Sequence, residues 1–257
     1  MAPCRAADAF AAPRPVTELN TAADEAGLRL SADGTGYFTR GLFVGADPVP
    51  RIHRASPDEA RGGFAAPTLV LGLANVAAED PAVAADGTAL IFASPLSGNY
   101  DLWGAARVSG EFVTPRALTV LNTDQVELAP YLLSSGKALY FSRINPGAGV
   151  SLLRTKVDGA GGGGVAAPTV ASSISVVSNP VVSEDELELF YSVNGDIYRA
   201  TRASADSLFV SSARIATLSS DGFDAPSWMS PDGCTLYLTS DRPGGAGEND
   251  LWVASRR

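Results

Sequence analysis

A motif that returns about every fifty residues constrains this chain more than any other feature. Ser31-Ala32-Asp33-Gly34 precedes Tyr37-Phe38, and Ala84-Ala85-Asp86-Gly87 precedes Leu90-Ile91-Phe92. The pattern continues as Ser134-Ser135-Gly136 before Tyr140-Phe141, Glu184-Asp185 before Phe190-Tyr191, and Ser230-Pro231-Asp232-Gly233 before Leu236-Tyr237-Leu238. The turn positions Asp33, Asp86, Ser135, Asp185 and Asp232 are 53, 49, 50 and 47 residues apart. That period is too long for helical repeats and suits a four-stranded propeller blade. Asp-Gly between two β-prone runs supplies the positive φ that a tight hairpin needs.

Each copy divides into four short strands. In the second, 81–84 leads through Asp86-Gly87 into 89–93, then through Gly98-Asn99 into 100–107 and through Gly110 into 112–120. A third-strand unit recurs as Arg51-Ile52-His53-Arg54, Ser151-Leu152-Leu153-Arg154, Asp196-Ile197-Tyr198-Arg199 and Asp250-Leu251-Trp252-Val253. Helical periodicity is absent, because the Ala-rich segments are broken by Gly, Pro and Ser at strand intervals. The last copy stops after its third strand, while residues 10–21 form an orphan that matches 112–123, the fourth strand of the second copy and its exit. The orphan is therefore expected to complete the last blade and close the ring, which removes a free sheet edge. The expected fold is all-β: a five-bladed propeller, four antiparallel strands per blade, as one domain over 1–257. Its expected parts are a tail at 1–9, the closing strand at 10–18, and blades near 19–72, 73–120, 121–171, 172–217 and 218–257.

Composition excludes several function classes. Hydrophobic residues make up 46% of the 257, enough for a globular core, yet no apolar run is long enough for a spanning helix. Nineteen basic against 28 acidic residues give a net charge of −9, and no basic cluster is present to neutralise nucleic-acid phosphates. One histidine and two cysteines rule out a His-rich metal site or a thiolate zinc cluster.

The segment Asp224-Ala225-Pro226-Ser227-Trp228, followed by Ser230-Pro231-Asp232-Gly233 and Asp250-Leu251-Trp252, resembles the Pro-Asp variant of WD-type repeats. Such repeats build the TolB-like propellers of bacterial exported proteins. The likeness is strong in the last copy and looser in the first and fourth. TolB itself has six blades and an extra amino-terminal domain, and the five copies here depart from that pattern. What the resemblance implies is the fold and an envelope location (periplasmic, secreted or lipid-anchored), not the TolB partners.

Most recurring residues read as architecture. Asp33, Asp86, Asp185 and Asp232 are turn residues whose side chains bond neighbouring backbone N–H groups. Trp103, Tyr198 and Trp252 fall at equivalent packing positions, and the lone His53 lacks a second base or nucleophile in register. Met229 reads as an inserted residue, a bulge on the innermost strand. The glycine tract 159–164 reads as a flexible connection, since no Lys-Ser/Thr and no helix follow it.

The candidate binding residues are acids just before the innermost strands: Glu25, Glu79, Asp80, Asp124, Glu127, Asp221 and Asp224, with Asp24 beside them and Ser178-Asn179 breaking the series. Converging at one channel mouth, they would favour a basic peptide or a bound cation such as calcium and would raise some carboxyl pKa values. No cofactor is otherwise expected. The reading is a monomeric, non-catalytic scaffold of the bacterial envelope that presents a rigid acidic face to a protein, peptide or glycan. Two alternatives remain. One is a glycoside hydrolase of the five-bladed arabinanase type, pairing Asp80 with Glu127 or Asp224; the other is a purely structural propeller.

The cysteines offer a further choice. Cys4 precedes the ring-closing strand, and Cys234 lies in the first hairpin of the blade that strand completes. A disulfide between them would lock the closure. Alternatively, Cys4 is an unpaired residue, such as the acylated cysteine of a lipoprotein precursor.

Overall fold

The computed structural model describes residues 4, 8–41, 49–60, 62–158 and 164–256. Most of the expected tail at 1–9 and all of the glycine tract except Gly164 lie outside them.

Five antiparallel sheets surround a central channel as the blades of a propeller. Blade 1 comprises Glu25–Leu30, Gly36–Arg40, Arg51–Ala55 and Thr68–Leu69 from the channel outward. Blade 2 comprises Glu79–Val83, Ala89–Ser94, Asp101–Val108 and Glu111–Ala117. Blade 3 has Val126–Leu132, Ala138–Asn145 and Gly149–Asp158, with its outer strand split into Gly164–Val165 and Thr169–Val170. Blade 4 has Ser178–Val182, Glu188–Val193, Asp196–Thr201 and Ser211–Arg214. Blade 5 has Asp224–Met229, Thr235–Ser240 and Asp250–Ser255, and its outer strand is Arg14–Pro15 from the amino terminus. The only helix among the described residues is a 3₁₀ turn at Leu71–Leu73.

Hairpin chemistry follows the repeat. Asp33, Asp86, Asp185 and Asp232 each accept the backbone N–H two residues on, at 3.0 Å in every case. Ser31 and Ser183 hydroxyls donate to the first and third of these carboxylates. Side-chain hydrogen bonds from Ser31, Thr88 and Ser230 hold the Asp33, Asp86 and Asp232 carboxyls below their usual range. The glycines that follow, Gly34, Gly87 and Gly233, have φ of 80°, 68° and 71°.

Packing between blades supplies the core. Tyr37, Leu90, Phe92 and Phe112 are buried together between the first two blades, and Tyr140, Phe190, Tyr191 and Phe209 belong to one cluster that runs across blades 3, 4 and 5. Trp252 joins the latter cluster, and His53 stacks on Phe38 at 5.9 Å, so both are packing residues. Burial lowers the His53 pKa. Ring closure buries Val16 and Leu19 with Leu251 and Val253, and sets Phe10 edge-on to Phe190 at 5.8 Å. Cys4 and Cys234 are disulfide-bonded, with Cα atoms 5.7 Å apart.

Hydroxyls on the second strands stitch four of the blades to the next, while the matching Ser94 of blade 2 donates to the Ala77 carbonyl before its own first strand. Thr39 accepts from the Asp80 N–H and Thr239 from the Gly27 N–H, while Ser142 and Ser192 donate to the Val177 and Asp224 carbonyls. The opposite end of the ring is tied by Arg154 to Glu186 and by Arg256 to Glu188.

Candidate functional site

All five innermost strands carry a bulge at the same level. Register shifts occur between Ala26 and Arg29, Glu79 and Ala82, Leu128 and Tyr131, Ser178 and Val181, and Pro226 and Trp228. Met229 itself pairs with Leu236, so the extra residue in blade 5 is Ser227 and not Met229. In four blades the bulge holds a left-handed residue: Gly27, Asp80, Ala129 and Asn179, with φ of 68°, 52°, 51° and 50°. A bulge re-aims side chains. Here it turns two consecutive residues per blade toward the axis, and these line a cavity of about 230 Å³ with Arg29, Phe223 and Asn249.

The seven candidate acids separate into three groups. Glu25, Glu127 and Asp224 are fully buried, and each is spent on an arginine of its own hairpin. Glu25 binds Arg40 at 2.7 Å and accepts from the N–H and hydroxyl of Thr21. Glu127 repeats this with Arg143 at 2.7 Å and Thr123, and Asp224 with Arg242 at 2.5 Å and Ser220. Each arginine also donates to a carbonyl, that of Leu19, Leu121 or Leu218. These three acids therefore fix the entry of their strands and are not among the residues lining the cavity. Asp124 and Asp221 form the second group, exposed on the rim.

Only Glu79 and Asp80 enter the cavity. Burial, reinforced by Asp80, pushes the Glu79 carboxyl up to about 8. Burial also raises Asp80, against the opposing effects of Arg29 and of the Ala129 N–H that donates to its Oδ2 at 3.1 Å. Among the described residues, no three His, Cys, Asp or Glu groups are placed to hold a metal ion.

Two residues absent from the sequence-based candidates complete the cavity. Arg29 is 4% exposed, and its Nε and Nη1 have no hydrogen-bond partner. Its Nη2 donates to the Pro130 carbonyl of blade 3 at 3.4 Å, and its guanidinium lies 5.2 Å from the Tyr131 ring centroid. Burial lowers its pKa to about 10, so it remains charged at neutral pH. Asn249 is held by Asp24, and its buried Oδ1 is also unpartnered. The signal for Arg29 was a charge inside the apolar innermost strand, Leu28-Arg29-Leu30; nothing in the sequence marked Asn249.

No protein-family model matches the chain, and no curated protein matches it. Solved structures do. A TolB-type protein of Agrobacterium tumefaciens superposes with a TM-score of 0.58 at 15% identity, over 97% of this chain and 99% of its own. TolB of Acinetobacter baumannii gives 0.57 at 14% identity over 91% of this chain, which spans 55% of that protein. The fold is that of a TolB-like propeller. The PQQ-bound aldose sugar dehydrogenase of Streptomyces coelicolor also superposes, with a TM-score of 0.53 at 11% identity over 99% of this chain and 100% of its own. At such identities the likeness concerns architecture, which hosts both binding proteins and enzymes.

Proposed function

We propose that the chain is a non-catalytic binding module of the bacterial envelope, and that it presents the acidic end of its channel to a protein or peptide carrying a basic segment. One observation carries this reading: the charges on that end are unequally satisfied. Arg40, Arg143, Arg214 and Arg242 are each paired with a carboxylate and Arg51 donates to the Pro50 and Ala74 carbonyls, whereas Asp124, Asp221 and Glu248 stand exposed on the rim. A cleft of about 700 Å³ between blades 4 and 5 sets Asp221 and Asp241 beside the satisfied Arg214 and Arg242. The uncompensated field attracts a cationic partner and speeds its encounter.

The envelope location rests on the TolB-like fold together with the Cys4–Cys234 bond, because disulfides persist in oxidising compartments. The hydrolase alternative loses its carboxylate pair. Glu127 and Asp224 are held by arginines, which leaves Asp80 with only its sequence neighbour Glu79, whereas glycoside hydrolysis places its acids on opposite sides of the scissile bond.

The test is a pull-down from bacterial envelope extract, comparing the parent with a variant combining Asp124→Asn, Asp221→Asn and Glu248→Gln. The expected result is a partner recovered by the parent, released by salt and lost with the variant. Equal recovery by the two proteins would refute docking on the acidic rim.

A further inference from the structure

Beneath the rim, two residues that line the cavity, Arg29 and Asn249, carry buried polar atoms whose valences the protein leaves open. Arg29 Nε and Nη1 are buried donors without acceptors, and Asn249 Oδ1 is a buried acceptor without a donor. A buried polar group without a partner is costly, so a site that keeps both kinds is suited to something that supplies the missing bonds. We propose that the channel cavity binds a neutral polyhydroxylated molecule of about monosaccharide size.

Three features select that chemistry. First, size: about 230 Å³ is below the usual range for drug-sized ligands and corresponds to roughly eight waters, the scale of one small ring with its hydroxyls. Second, charge: Arg29 and the adjacent acids Glu79 and Asp80 line the same small space, with Asp80 close enough to act on the guanidinium, so the interior presents charges of both signs and no single-sign cluster to an ion. A ligand anion, cation or zwitterion would have to be desolvated without a free counter-charge. A hydroxyl avoids this cost, and since it both donates and accepts, one group can bridge from the Arg29 guanidinium to the Asp80 carboxylate. Third, the walls: Leu128, Ile144, Val150 and Phe223 give the cavity an apolar surface beside its polar groups, and Phe223 is 39% exposed at the mouth. A sugar ring has the same division into a C–H face and a hydroxyl edge.

This inference concerns the interior and not the rim, so it stands or fails apart from the protein-docking reading. The experiment is saturation-transfer NMR with titration calorimetry on the full chain. The probes are D-glucose, D-galactose and myo-inositol, set against D-glucuronate and L-leucine as charged and zwitterionic controls. Saturable millimolar or tighter binding of at least one neutral probe is expected. It should weaken about tenfold or more in Arg29→Met and Asp80→Asn, the loss of one charge-assisted hydrogen bond. The rim variant should bind the probe as the parent does. Asp80→Asn guards against a folding failure at Arg29, since asparagine keeps the side-chain shape and tolerates the φ of 52°. The proposal is overturned if no neutral probe saturates, if Asp80→Asn folds and binds the probe unchanged, or if glucuronate or leucine binds more tightly.

Discussion

Replacing both members of the Cys4–Cys234 bridge by serine should lower stability by about 5 kcal/mol without altering the folded ring. The two cysteines are 230 residues apart, so the bond ties nearly the whole unfolded chain into one loop. For a loop of that length the chain-entropy relation gives about 18 cal/mol/K, or about 5 kcal/mol at 25 °C, the upper end of what disulfides contribute. The folded state has other holds on the closing strand. Arg14 and Pro15 pair with Val253 and Trp252, Ala11 and Val16 donate to the Ser255 and Leu251 carbonyls at 2.9 Å, and Phe10, Val16 and Leu19 are buried. The loss therefore arises in the unfolded ensemble. For a domain of this size each kcal/mol moves the thermal midpoint by about 2–4 °C, so the drop should be about 10–20 °C. Circular dichroism melts of the double variant, and of the parent with reductant, measure it, and size-exclusion chromatography below the transition reports whether the ring stays closed. A fall of less than about 1 kcal/mol in a variant with the parent's spectrum would refute the loop argument. Dimers below the transition would show instead that the strand undocks and leaves Asp250–Ser255 as an open edge.

Two further predictions concern the strand entries. Arg143→Met should destabilise by about 3–5 kcal/mol, because it strands the fully buried Glu127 carboxylate, and adding Glu127→Leu should recover most of the loss; urea titrations of the single and double variants decide it, and a double variant no better than the single would count against the ion pair as the cause. Glu79, raised from 4.5 to about 8 in the folded chain, binds its proton more tightly there than when unfolded, so its contribution is complete below about pH 4.5 and is lost as pH rises to about 8. Unfolding free energies across that window should slope downward in the parent and less steeply in Glu79→Gln, and parallel curves would remove Glu79 as the source.

The repeat made the architecture legible because hairpin chemistry is local. Asp86-Gly87 and its counterparts need only their own neighbours to turn a strand, and the likeness of residues 10–21 to 112–123 was enough to place the closing strand. That likeness held more than was read from it. Leu19-Asn20-Thr21 and Leu121-Asn122-Thr123 are also the clamps of the buried acids: Asn20 and Asn122 bond both backbone groups of Leu251 and Leu102, while Thr21 and Thr123 bond Glu25 and Glu127. Glu25 and Glu127 looked like binding residues because their arginines lie 15 and 16 positions later, across a hairpin. An acid before an innermost strand is therefore ambiguous until its arginine is sought. Where the matching positions lack an acid, as at Ala78 and Val177, the entry is apolar and no such node forms.

The cavity was less legible because its chemistry depends on the bulge. In a regular strand, neighbours point to opposite faces, and Glu79 and Asp80 could not both face the axis. The left-handed residue at Asp80 breaks that alternation, and Gly27, Ala129 and Asn179 do the same around the ring. Arg29 is then brought against Pro130 and Tyr131 only because the ring closes, across a sequence separation of about a hundred residues. A charged side chain in the middle of Leu28-Arg29-Leu30 conflicts with the apolar residues at the matching positions, Ala82 and Val181. Local conflicts of this kind are where function is expected, since a fold tolerates a desolvated, incompletely bonded guanidinium only if something else offsets its cost. That sets the chemistry of the cavity, one buried arginine beside one half-buried pair of acids, apart from the exposed acids of the rim.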